Sequence, residues 1–442
     1  MTTLVKHAPG WTIFDNVYMS GGAMFIVTDT PSDWPAIRMM TSTGLRAENT
    51  PENIATREPT DRDMRFITMK EAEQLFGNRV WPVKGVSFLV NDPGQFVSHY
   101  YHFVAETWMG LWRFYSSLDS DINVYGETKL ESPARIIYPH CKENEWRDYS
   151  TFNQYFMHAV FPSISLETQL DWEGRAKMTE SRGPGTQKAF RYDRVVLSDR
   201  SAAFRGELCP GRNQRIVSEA WEPTRKESSK YWWEPVRRSV LRFARVEPKT
   251  IDANVLWAKE WDGVSNGDEV PTEKQIEVGK TASRRMPVVI TYVVRSGNRR
   301  SMIKEDHEAL VKSLTNLCDS KRWELNIVHA ERLTKDEQIQ LAARTTIMLG
   351  IHGNGLTHLV WMPLTPLSTV IEIFIPGGFA KDYEWTSRAL GMRHYAVWND
   401  TYFTHPKEPG VSLPEGFQGN QIPAHGPSIA QLIEDRIEGR LP

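Results

Sequence analysis

The 442-residue sequence predicts an α/β protein with a mainly parallel sheet in each of two domains and a β-rich extension in front. Three observations carry that prediction. From about residue 81 onward, short apolar runs rich in β-branched residues alternate with amphipathic helix patterns. Near the C-terminus, four such runs are joined by three helix patterns, the signature of a doubly wound unit. A polar segment with glycine and proline separates the two halves.

The elements follow in order. GWTIFDNVYMSGGAMFIVT reads as short strands broken at Asp-Asn and Ser-Gly-Gly turns, and a polar, proline-punctuated stretch runs on to about residue 80. Residues 1–80 are therefore expected to form the β-rich extension. VKGVSFLV is a strand ending at the Asn-Asp-Pro-Gly turn of residues 91–94. QFVSHYYHFVAETWMGLWRFYSSL is a long amphipathic helix pattern, PARIIYPHC a strand, STFNQYFMHAVFP a helix and YDRVVLSD a strand. Residues from about 165 to 188 read as a polar loop. Residues 81–260 make the first α/β domain, residues 261–285 a linker or insertion, and residues 286–442 the second domain. In the second, MPVVITYVVR, WELNIVHAE, TIMLGI and STVIEIFIP are strands; KEDHEALVKSLTNLCDS, TKDEQIQLAART and LTHLVWM are the helices between them. Thr334 and Glu337 are spaced as a capping box. SIAQLIEDRIEGRL is a final amphipathic helix.

The bulk chemistry is that of an ordinary globular chain, 40% hydrophobic and 24% charged. A net charge of −2 argues against a dedicated nucleic-acid binder, which needs a basic surface. Cys141, Cys209 and Cys318 show no CxxC or Cys/His spacing, so a structural zinc is not expected; one disulfide with a free thiol and three buried thiols both fit. No window approaches the roughly 18–20 apolar residues of a membrane span. The start, MTTLVKHAPGW, lacks the order of a signal peptide, while a sequon at Asn399 tilts toward secretion.

In an open α/β sheet, ligands gather beyond the carboxyl ends of the strands. Three features of the second domain fall there: Arg295 with Arg299 and Arg300 after it, the turn His352-Gly353-Asn354-Gly355, and Glu372. Glycines admit a close anion, N–H groups at a helix start favour it, and arginines grip phosphate oxygens in pairs. A tight turn with solvated arginines fits the same residues. Neither G-x-G-x-x-G nor the P-loop pattern occurs at this turn, which argues against a dehydrogenase or a P-loop enzyme. In the first domain, His99, His102 and Glu106 share one helix face, where an apolar setting can tune a proton acceptor. Two core histidines with Glu106 at the surface fit that spacing as well. The zinc-protease order H-E-x-x-H is missing, and Asp119-Ser120-Asp121 reads as a helix-ending loop.

Three blocks, in the right order over about residues 85–400, resemble glycosyltransferase family 61. HYYHFVAETWMGLW is similar to the family's YHxFxD block, with His102 on the histidine and Glu106 on the acidic position. VVRSGNRRSMI is similar to its arginine block, with Arg295 and Arg300 on the recurrent arginines. MLGIHGNGLTHLVWMPL followed by TVIEIF resembles its HGAGLTH and V-E signature. The resemblance implies a GT-B architecture, two Rossmann-like domains facing across a cleft, and transfer with inversion. It implies that Arg295, Arg299 or Arg300, and the turn of His352, Gly353, Asn354 and Gly355 hold the diphosphate of a UDP-sugar, that Glu372 meets the ribose or the sugar, and that no metal is required. Glu106, oriented by His102, is the implied base, with His102 the rival. Xylose is the favoured donor sugar, N-acetylglucosamine the second, and the acceptor is a hydroxyl of a glycan or glycoprotein. A place in the secretory pathway (Golgi or ER lumen) follows for the family, with a membrane-anchored full-length form whose anchor lies outside this chain. The alternative is a catalytically inactive sugar- or nucleotide-binding module of the same fold. Asn354 stands where the family usually has alanine, and Glu106 is one methylene longer than the usual aspartate.

Overall fold

The strands of the first half pair into one eight-stranded mixed sheet, and those of the second half into a six-stranded, mostly parallel one. The computed structural model describes residues 1–441 except 182, 184, 210–215, 261–272, 296 and 298, with the backbone alone at 273–275. The chain divides into two compact units, residues 1–121 with 128–229, and residues 122–127 with 230–442. Both units are α/β, as the sequence predicts.

In the first unit the strands are β1 (Thr3–Ala8), β2 (Trp11–Ser20), β3 (Ala23–Val27), β4 (Met64–Ile67), β5 (Val80–Val90), β6 (Arg135–Ile137), β7 (Ser165–Glu167) and β8 (Ala189–Ser198). They lie in the order β4-β3-β2-β8-β5-β6-β7, with β1 beside β2. β8, β5, β6 and β7 form one parallel set, and β3 pairs in parallel with β4. β2 runs antiparallel to β8 along most of its length. Residues 1–80 are therefore not a separate extension: their strands cover what would otherwise be an open edge at β8, a template for unwanted pairing. β5 and β8 end flush, with Val90 opposite Ser198, after a bulge between Val83 and Val86 that leaves Lys84 and Gly85 facing Asp193 alone.

The aromatic-rich helix after β5 spans residues 100–116 and widens into a π-helix at His102–Trp108, a form that concentrates at functional sites. Residues 103–116 are all buried, so this helix is covered around its whole circumference, with Glu106 and Arg113 among the buried side chains, and has no solvent face of the kind an amphipathic helix presents. Trp108 stacks on Phe161 at 4.9 Å, and Gly110 makes room for the Trp11 ring, which a Cβ would meet at 2.1 Å. The polar loop expected at about 165–188 is instead β7 followed by the helix Gln169–Thr179; residues 182 and 184 lie outside the described residues. A capping box between Thr168 and Asp171 starts that helix, and Trp172 is its one large buried side chain.

In the second unit the strands are β9 (Val289–Val293), β10 (Glu324–Val328), β11 (Ile347–Ile351), β12 (Thr369–Phe374), β13 (Arg393–Trp398) and β14 (Thr401–Phe403). Their order is β10-β9-β11-β12-β13-β14, parallel except for β14. The four expected strands are present, and β13 and β14 extend the sheet beyond them. The helix Lys335–Arg344 begins at the Thr334–Glu337 capping box, and residues after β11 form a 3-10 helix, Asn354–Trp361.

The border between the units differs from the expected linker at 261–285. The chain joins the second unit from residue 230 onward, because Trp232 and Trp233 donate their indole N–H groups to the carbonyls of Ala389 and Val360. Residues 261–272 lie outside the described residues, and Glu273–Arg285 is a helix. Cys141, Cys209 and Cys318 are three buried thiols. Among the described residues no helix is long and apolar enough to cross a membrane.

Candidate active site

In the second unit the strand order reverses direction between β9 and β11, the place where doubly wound sheets open a crevice at their carboxyl ends. Arg295 follows β9 and His352 follows β11, so both predicted features arrive there. Three glycines let the turn press against the end of β9. A Cβ at Gly350 would stand 2.9 Å from the Val293 carbonyl oxygen, one at Gly355 2.9 Å from Val293 Cγ1, and one at Gly353 1.7 Å from Arg295 Nη1. Arg295 then donates from Nη1 to the His352 carbonyl at 3.3 Å and from Nε to the Arg299 carbonyl at 3.1 Å. Asn354 opens the 3-10 helix and accepts from the Thr357 hydroxyl at 3.3 Å, so its side chain braces the turn.

Arg299 and Arg300 both donate from Nε to Gln418 Oε1, at 2.7 Å each, and Arg300 lies over the Phe417 ring. Among the described residues, none of the three arginines makes an ion pair with a carboxylate. Partial burial lowers the Arg295 and Arg300 pKa values, and the positive charge of their arginine neighbours lowers them further. Three guanidiniums held together without a counter-charge form a standing demand for an anion.

Glu372 is placed differently from its expected role at the ribose or sugar. It is fully buried; Oε1 lies 2.5 Å from His352 Nδ1 and Oε2 lies 2.8 Å from His394 Nε2. With both oxygens occupied, it sets the orientation of the turn histidine instead of meeting a ligand. Burial pushes its carboxyl well above the usual range and holds His352 and His394 down to about 3 each. The positive field at the turn therefore comes from the arginines, and His352 adds shape and hydrogen bonding. Gln418, Phe417, His394 and Tyr383, whose ring meets His352 edge-on at 5.7 Å, are site residues that the sequence reading misses.

In the first unit the flush ends of β5 and β8 send Asn91-Asp92 and Asp199-Arg200 out side by side. Arg200 is buried and joins two carboxylates: its backbone N–H and Nε reach Asp92 at 2.8 and 3.3 Å, and Nη1 lies 3.0 Å from Glu106 Oε2. Its guanidinium also lies 4.0 Å from the Phe96 ring centroid. The same Glu106 oxygen bonds His102 Nδ1, one turn earlier on the π-helix. Burial alone would raise the Glu106 carboxyl, but Arg200 and then His102 outweigh it and hold it at about 2. Burial pushes Asp92 up to about 6, against the pull of Arg200.

This geometry reverses the expected order of roles. The Glu106 side chain is 0% exposed and committed to two cationic or N–H partners, whereas the His102 side chain is 13% exposed. A carboxylate sealed this way is not open to an acceptor hydroxyl; it can orient an imidazole that is partly open. His102 is the candidate base and Glu106 its support. His99 lies beside it, ring centroids 5.0 Å apart. Asp92 and Arg200 escaped the sequence reading, although each follows directly on a parallel strand end, the one available signal.

Asp119 is a bracing residue, accepting from the Thr128 hydroxyl and the Lys129 and Asp121 N–H groups, in line with a helix-ending loop. Among the described residues one trio has metal-like spacing: Glu384, His405 and Glu408, with ligand atoms within 4.8 Å of one another. Arg388 already lies 2.9 Å from Glu384 and Lys381 3.0 Å from Glu408, so the carboxylates are neutralised without an ion.

The sequence model described as Glycosyltransferase 61 matches residues 100–371, a span that runs from the helix of His102 through Arg200, the three arginines and the His352 turn. The chain is also similar to the EGF domain-specific O-linked N-acetylglucosamine transferase of Drosophila melanogaster, 29% identical over 130 residues. That stretch is 29% of this chain and 22% of the relative, so most of the relative's length has no counterpart in the match.

Proposed function

The chain belongs to glycosyltransferase family 61, and on that premise we propose that it moves a sugar from a UDP-sugar to a hydroxyl of a glycan or glycoprotein, with inversion. The observation that carries the donor side is the cluster of Arg295, Arg299 and Arg300 beside the His352–Gly355 turn, three cations with no carboxylate partner among the described residues. In this reading the arginines neutralise the diphosphate as the bond between the anomeric carbon and the β-phosphate oxygen breaks and UDP leaves with the electron pair. His102 Nε2 takes the proton of the acceptor hydroxyl as its oxygen bonds the anomeric carbon from the opposite side. Glu106 holds the ring in place. The division of labour is that of a GT-B enzyme, with the nucleotide on the second unit and the base on the first. Because the charge on the leaving group is met by guanidiniums, transfer is expected to survive EDTA.

The name of the fly relative moves N-acetylglucosamine ahead of xylose as the donor sugar. The deciding experiment is a panel of UDP-sugars against glycan and glycopeptide acceptors, with and without EDTA. Acceptor-stimulated UDP release, with UDP-GlcNAc or UDP-xylose above the rest, supports the proposal. UDP binding with no turnover across the panel would make the chain a binding module, and no UDP binding would remove the donor site altogether. The secretory pathway is the proposed location, tested by whether Asn399 carries a glycan on protein from a secreting host.

A further inference from the structure

We infer that Arg200 is a positioning residue that locks His102 in the one tautomer able to take a proton from an acceptor hydroxyl. The inference rests on the reading of His102 as the base and adds a residue that neither spacing nor family motif had pointed to.

An ionised carboxylate only accepts hydrogen bonds, so the Glu106 oxygen shared with His102 Nδ1 requires the proton on Nδ1. Nε2 is then the bare lone pair. A neutral carboxyl would reverse this: its O–H could donate to Nδ1, the ring proton would move to Nε2, and His102 could no longer act as a base. Glu106 is fully buried, where the neutral form is ordinarily favoured. Burial, Arg200 and His102 decide its state; the titratable groups around them are Asp92 from the end of β5, Asp199 from the end of β8, Cys209 near Arg200, and His99, which stands just before the helix and not on the face where the sequence puts it. Arg200 is the one permanent cation among them. Its reach is fixed by the Asp92 bonds at one end and the Phe96 ring along its plane, so it meets Glu106 without being free to turn away. A tautomer error of this kind costs a serine protease about 10⁴ in kcat.

The test is the Arg200→Met variant, read by nitrogen-15 NMR of the imidazole rings, with the His102 signals assigned by His102→Gln. The native protein should show His102 protonated on Nδ1. Arg200→Met should show the Nε2–H form near neutral pH and revert as rising pH ionises Glu106. In the transfer assay kcat should fall by about 100-fold or more, the KM for the UDP-sugar should hold, and the acid limb of the pH profile should move upward. Arg200→Lys, which restores the charge, should recover at least about a tenth of native kcat. If Arg200→Met does not fold, the Asp92→Asn/Arg200→Met double variant, which removes one buried carboxylate with the cation, is read in its place. An unchanged tautomer with unchanged kcat in either variant overturns the role of Arg200. Near-native turnover in His102→Gln instead overturns the base assignment beneath it, and the two failures are distinct.

Discussion

Replacing Arg295 with methionine should cut UDP affinity without unfolding the protein. The guanidinium makes two backbone hydrogen bonds, to the carbonyls of His352 and Arg299, and leaves the rest of its donors facing no carboxylate. A charge-assisted hydrogen bond to a phosphate contributes about 1.5–3 kcal/mol, so Kd for UDP should rise roughly 10- to 150-fold. The loss of two ordinary hydrogen bonds is offset in part by relief of the repulsion among three arginines, so the melting temperature should move little. Gly353→Ala supplies an independent route to the same effect. Its methyl would stand 1.7 Å from Arg295 Nη1, closer than any contact allows, so the guanidinium must leave its seat. If Gly353 acts through Arg295, the double variant is no worse than Arg295→Met alone. Isothermal titration with UDP measures all three proteins. Affinity within about twofold of native in a folded Arg295→Met protein, or losses that add in the double variant, would refute the reasoning.

Three further outcomes are expected. Glu106→Gln should keep UDP binding and lower turnover by about 100-fold or more, since the amide offers His102 the wrong partner; near-native turnover would detach Glu106 from the chemistry. Gln418→Ala frees Arg299 and Arg300 from their shared acceptor and should weaken UDP by roughly 3- to 10-fold, with an unchanged Kd showing that the two arginines need no such tether. His352 and His394 bind protons more weakly folded, at about 3, than at their ordinary value of 6.5. The stability they contribute is therefore present above about 6.5 and lost as pH falls toward 3, on the order of 2 kcal/mol per imidazole at about pH 5. Thermal melts of the native protein and of His394→Gln at about pH 7.5 and about pH 5 check this; the variant should lose less on acidification, and an identical loss would refute the neutral assignment.

The parts of the fold that were legible are those whose pattern is local. β5, β8, β9, β11 and β12 are apolar runs with turn signals at their ends, and Thr334 with Glu337 announces its helix within four residues. The helix Gln169–Thr179 was missed because Trp172 is its only large buried side chain, which leaves no apolar stripe to count. The strands of residues 1–80 were read as strands, but nothing in them says that β2 will pair with β8, some 180 residues away. The candidate site divides the same way. Arg295 and the His352 turn sit where strand ends put them, so spacing found them. Gln418 meets Arg299 and Arg300 across more than a hundred residues of chain, and Arg200 meets Glu106 from almost as far. Such partnerships exist only after folding. The proposed exchange of roles between Glu106 and His102 has that origin too: spacing puts both on one face, and only burial says which one faces out.

The bulge in β5 acts as a phase adjuster for chemistry several residues downstream. Between Val83 and Val86 the strand carries one residue more than β8 does, and from there the two run in step to Val90 and Ser198. The bulge absorbs that extra residue, so Val90 still stands opposite Ser198, with Asp92 and Arg200 two residues further on. Deleting Gly85, the glycine at positive φ inside the bulge, would leave Lys84 opposite Asp193 and Val86 still opposite Arg194, so the strand ends would stay in step; what would go is the local bend and extra twist that a bulge gives its strand. The direction in which β5 delivers Asp92 is thus influenced in the middle of the strand, at a position that touches none of the groups it helps to aim.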